Sequence, residues 1–97
     1  MVVISRKALT DFTKRHPASS DAFLNWFRKA SESDWSHFQD VKRTFDSVDY
    51  VGNDSYVFNI KGNQFRLIAR IIFPVRTAFI RWVGTHAAYN KLDMNLL

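Results

Sequence analysis

The sequence predicts a small α+β domain: one antiparallel sheet, a helical pair on one of its faces, and a short helix closing the end. Two periodicities and a set of turns predict it. Up to about Phe45, apolar side chains recur at three- and four-residue spacing; from Tyr56 they alternate every second position. Lys61-Gly62-Asn63 and Pro74 to Arg76 then break the second half into consecutive strands on short connections, which pair antiparallel. A chain of 97 residues, 46% apolar and 15% aromatic, is enough for one domain, 1–97, with a core built largely of rings.

Val2-Val3-Ile4 is a β-branched run suited to a first strand. Ser5 stands as N-cap before a helix whose apolar face is Ala8, Leu9 and Phe12, and Pro17 ends it near His16. A second helix follows Ser19 or Ser20, with Asp21 in its first turn and Phe23, Trp26, Phe27 and Ala30 at i, i+3, i+4 and i+7. Trp35, Phe38, Val41 and Phe45 suggest a third helix over Trp35 to Arg43, and Asp46 to Ser55 reads as a polar loop. Strands are expected at Tyr56 to Ile60, Gln64 to Phe73 and Thr77 to Val83. Thr85 then caps a short helix that begins at His86.

Charge is unevenly spread. The first 54 residues hold eight cations and eight carboxylates, whereas Ser55 to Leu92 holds Lys61, Arg66, Arg70, Arg76, Arg81 and Lys91 with no Asp or Glu. The net charge of +5 therefore belongs to the sheet and its closing helix, which points to a polyanionic partner. In the middle strand Phe65, Leu67, Ala69, Ile71 and Phe73 alternate with Gln64, Arg66, Ile68, Arg70 and Ile72. The apolar set should meet the helices, leaving a cationic floor of Lys61, Arg66 and Arg70 on the other face, joined by Arg81 if the register permits. A lone arginine there is usually a solvated charge. Several together repel one another unless an anion sits among them.

Cleavage of RNA needs such a face. A base takes the 2′-hydroxyl proton, an acid protonates the leaving 5′-oxygen, and cations balance the charge building on phosphorus. Arg66, Arg70 and Arg81 are placed to hold the phosphate; His86, Tyr89, Lys61 and Lys91 are the candidates for moving protons. Metal-assisted cleavage would call for clustered carboxylates, and the stretch has none before Asp93. With no cysteine, a disulfide or thiolate zinc site is excluded. The sequence offers neither a signal peptide nor a membrane span, so the cytoplasm is the expected compartment.

YVFNIKGNQFRLIARI and FIRWVGTHAAYNKLD resemble the HigB-type toxins of bacterial toxin–antitoxin pairs, within the wider RelE-like group, and the likeness extends over nearly the whole chain. The resemblance implies a RelE-like domain in the order β-α-α-β-β-β-α. It implies endonucleolytic cleavage of messenger RNA, usually on the translating ribosome, with no cofactor. It also implies a helix-turn-helix, HigA-like antitoxin as partner. Lys61, Arg66, Arg81, His86 and Tyr89 fall in the matching stretches and fit the family's catalytic use of basic residues with a His or Tyr. Arg70 and Lys91 then bind phosphate or ribosomal RNA, while Asn59 and Asn63 contact a base or shape the hairpin. The rival reading is a basic module that binds RNA or the ribosome without cutting.

Overall fold

A computed structural model describes all residues, Met1–Leu97. Five strands, β1 (Val2–Ile4), β2 (Val48–Tyr50), β3 (Ser55–Ile60), β4 (Phe65–Ile72) and β5 (Thr77–Thr85), form one sheet in the order β1-β5-β4-β3-β2. Helices α1 (Arg6–Arg15) and α2 (Ser20–Glu32) are separated by a single turn of 3₁₀-helix at Pro17–Ser19, where proline's fixed φ and missing N–H end α1. Helices α3 (Phe38–Thr44) and α4 (His86–Asn90) complete the fold. None is long and apolar enough to cross a membrane.

The periodicities placed the core correctly. Leu9 and Phe12 of α1 and Phe23, Trp26 and Ala30 of α2 are buried against Phe58, Phe65, Leu67, Ala69 and Ile71 of the sheet, in a cluster of 17 buried side chains. Rings dominate its contacts. Phe12 meets Phe23 and Phe65 edge-on at 5.5 and 5.8 Å, and Phe58 meets Trp26 and Phe45 at 5.3 Å each. Such pairs add about 0.5–1.5 kcal/mol each beyond the area they bury.

Three features depart from the expected plan. The sheet is mixed rather than wholly antiparallel: β1 runs parallel to β5, Val2 opposite Thr77, and the helices carry the chain from β1 at one edge to β2 at the other. The supposed loop after residue 45 contains strand β2, in which Val48 alone is buried and pairs with Phe58. Its turn into β3 runs through left-handed φ at Gly52, Asn53 and Asp54, residue types that accept it. Finally, α3 starts at Phe38 rather than Trp35, because the Asp40 carboxylate accepts from both the N–H and the hydroxyl of Ser36 at 2.9 Å and holds that segment out of the helix. Trp35 is buried beside it, its indole N–H donating to Thr44 Oγ1 at 3.0 Å.

Candidate functional site

The face of the sheet away from α1 and α2 is only partly open. Arg66, Ile68 and Arg70 of β4 point onto it, as the alternation predicts. On β5 the alternation fails. Ile68 pairs with Trp82 but Ala69 pairs with Ile80, so Arg81 is an extra residue, a β-bulge. Beyond it the strand's faces are exchanged. Trp82 comes to the outer face, and Val83 packs against the core. Ile68, expected to be wet, is 0% exposed.

Helix α4 covers this end. Thr85 caps it, its hydroxyl oxygen accepting from the Ala88 N–H at 3.1 Å, as its position before the helix predicts. The His86 N–H donates to the Gln64 carbonyl at 3.0 Å and fastens the helix to the start of β4. From there Tyr89 reaches back over the sheet. Its ring lies 6.2 Å from the Trp82 ring, and the Arg66 guanidinium sits 5.5 Å from its centroid. Trp82 can lie flat here only because Gly84, its neighbour on the same face, has no side chain: a Cβ would run into the indole.

Arg66 is the most unusual group in the molecule. It is 8% exposed, faces no carboxylate, and its Nη1 is buried without a hydrogen-bond partner. A guanidinium held this way is costly in the free protein, and an anion would relieve it. Nδ1 of His86 is likewise buried and unpartnered. An unpaired cation, a phenol and an imidazole thus come from one strand end and one helix.

The remaining predicted residues are less tightly grouped. Arg70 and Arg81 share a shallow depression of 340 Å³ with Ile72 and Phe79, further along the same face. Arg70 has a carboxylate neighbour from just before the acid-free stretch, with its Nη2 3.8 Å from Asp54 Oδ2. Lys61 does not join the floor: left-handed φ at the turn swings it to the helical side, where its ammonium donates to the Ala18 carbonyl at 3.0 Å. Arg76 also leaves, donating to Asp34 at 2.7 Å. Asn63 is exposed in the hairpin and Lys91 at the end of α4. Asn59 lies opposite Arg66 but donates to the Ser47 hydroxyl, a structural bond between β3 and the segment before β2. Sequence reasoning did not place Trp82 or Gly84 here, since only the bulge makes them outer-face residues; Phe79, before the bulge, lies opposite Arg70 as simple alternation places it.

A second hollow, 120 Å³ between α1 and α2, has Leu9, Phe23, Leu24 and Phe27 in its wall. Its one charged residue, Arg6, lies 4.6 Å over the Phe27 ring, so nothing there matches the cation cluster of the sheet.

Comparison with known proteins identifies the family. The chain is 29% identical over 94 residues to the mRNA interferase HigB of Escherichia coli O6:H1 (strain CFT073), covering 95% of this chain and 91% of that one. It is 29% identical over 93 residues to the mRNA interferase toxin HigB of Escherichia coli K12, covering 93% and 88%, and matches the Shigella flexneri mRNA interferase HigB to the same degree. The model of the HigB toxins, described as the RelE-like toxic component of a toxin–antitoxin system, matches residues 19–92, which takes in α2, β2 to β5 and the whole of α4. With most of its length matched, including every group on the cationic face, this chain belongs to the HigB toxin family.

Proposed function

We propose that the protein is a metal-independent endoribonuclease that cuts messenger RNA on the translating ribosome, in the cytoplasm. The observation that carries this reading is the nearly buried, unpaired Arg66 lying against Tyr89 with the unsatisfied His86 imidazole on the same helix. Arg66 is positioned to bind the scissile phosphate and to neutralise the charge that grows on it as the 2′-hydroxyl attacks. His86 and Tyr89 are the groups that move protons: one accepts from the 2′-oxygen, and one gives a proton to the departing 5′-oxygen. The phosphorus–oxygen bond to the 5′ side breaks as the bond to the 2′-oxygen forms, leaving a cyclic phosphate and a free 5′-hydroxyl. Arg70, Arg81 and Lys91 extend the anion-binding surface along the strand, with Asn63 at its rim. Lys61, bonded to the Ala18 carbonyl on the helical side, takes no part in this surface. The relatives' names as mRNA interferases support the substrate, and the family description supports a toxin held in check by an antitoxin, which we take to be of the helix-turn-helix type.

Brief expression of the protein alone, followed by mapping of transcript ends, tests this directly. Wild-type protein should arrest growth and create new 5′ ends within coding sequences. Arg66→Ala and Tyr89→Phe should reduce those ends by about 10²-fold or more while the proteins stay soluble. Soluble wild-type protein that slows translation without new ends would leave a binding module in place of the nuclease.

A further inference from the structure

The depression beside the Arg66–Tyr89 pair is lined by four side chains, Arg70, Ile72, Phe79 and Arg81, so that guanidinium groups flank an apolar floor. Arg70 and Phe79 face each other in register across β4 and β5, and Arg81 is the bulge residue. Its cations are poorly satisfied. Nε of Arg70 is shielded from solvent yet donates to nothing. The only carboxylate near Arg70 is Asp54, 3.8 Å away and 55% exposed, a contact worth little in water. Arg81 is exposed and takes no part in any of the chain's five ion pairs.

Few ligands use both halves of such a surface. Inorganic phosphate would meet the guanidinium groups and leave the Phe79 ring wet. An acidic peptide would do the same. A purely apolar partner would bury two arginines unpaired, at high cost. A nucleotide uses everything: its base stacks on the Phe79 ring and its phosphate lies between Arg70 and Arg81. Arg66 and Arg70 are four residues apart on one strand, about 13 Å. One nucleotide does not span that distance, so this subsite holds a neighbour of the one being cut.

We infer that the Arg70–Phe79–Arg81 depression is a nucleotide subsite that grips a base and phosphate of the same RNA strand, beside the phosphate bound at Arg66. The inference rests on the RNA-cleaving reading and adds to it a second, non-reacting contact. Binding energy gathered there positions the strand for attack at the first.

The test uses binding, so it does not depend on cleavage. The full chain is titrated into a labelled hexaribonucleotide methylated at every 2′-oxygen, which cannot be cut. The same backbone without bases and a hexaglutamate peptide serve as competitors. Wild-type protein should hold the base-bearing strand about tenfold more tightly than the bare one. Phe79→Leu should lose about tenfold on the base-bearing strand and nothing on the bare one, whereas Arg81→Gln should weaken both. Equal wild-type affinity for the two strands would overturn the inference, as would an equal loss on both in Phe79→Leu. Hexaglutamate competing as well as RNA would reassign the depression to an acidic protein. Base-dependent binding by a protein that leaves transcripts intact would remove the nuclease reading and keep this subsite.

Discussion

Gly84 is where the smallest change has the longest reach. Adding one carbon there pushes the Trp82 indole, on which Tyr89 leans, and Tyr89 in turn covers Arg66. Overpacking of this kind costs about 1–3 kcal/mol, and a displacement near 1 Å at reacting groups costs about 10²-fold in rate. Gly84→Ala should therefore cut transcript cleavage by at least about tenfold in a protein that still folds. Adding Trp82→Phe, which shrinks the obstructing ring, should restore part of it; cleavage rates and melting temperatures for both proteins check the pair. Tyr56 illustrates a different residue-scale effect. Burial, then the nearby Tyr50 and Asp54, raise its phenol above the ordinary value of 10.0, so the folded state holds the neutral form more strongly than the unfolded chain does. That contribution is complete below pH 10 and is lost as pH climbs through the raised value. Urea midpoints compared at pH 8 and pH 11 should fall further for wild type than for Tyr56→Phe.

At the scale of elements, α3 is held at its start by one side chain. The Ser36 N–H and hydroxyl, and then the charge of His37, keep the Asp40 carboxyl below its ordinary 3.8. Stability from that carboxylate is present above pH 3.8 and disappears as pH falls through the lowered value. Asp40→Asn should therefore be less stable than wild type at pH 7, and the gap should close toward pH 2 in denaturant titrations. The helices and long strands were legible because each buries a whole face, and period alone reveals a buried face. Strand β2 was not, because it lies at the sheet's edge and buries only Val48 among polar turn residues. The bulge at Arg81 escaped for a related reason. Nothing in FIRWVG distinguishes a strand that keeps its alternation from one that slips by a residue, and the slip is decided by how Trp82 and Val83 pack against different faces. That single slip determines the outer half of the site. Arg66, Arg70, Phe79, His86 and Tyr89 were legible in position, whereas Trp82 and Gly84 were not.

Over the whole molecule, charge separation survives folding with two corrections. Arg76 is drawn to Asp34 and Lys61 to the Ala18 carbonyl, which leaves Arg66, Arg70, Arg81 and Lys91 as the cations available to an RNA strand. Four phosphates neutralised on a single strand imply that the logarithm of affinity falls against the logarithm of salt concentration with a slope of roughly −3. Arg81→Gln should make it shallower by about 0.7, measured with the uncleavable strand between 50 and 200 mM salt. A slope near zero would mean that apolar contacts, not the cationic face, hold the strand. The parallel pairing of β1 carries one more consequence. Val2 donates to the Arg76 carbonyl at 2.7 Å, so the first strand has no neighbour until the last one exists. The N-terminal strand therefore joins the sheet only after β5 has formed beside β4. A chain that stops short of Thr77 leaves Val2 to Ile4 with no strand to pair with, so the two ends of the sequence are joined in a single closing step.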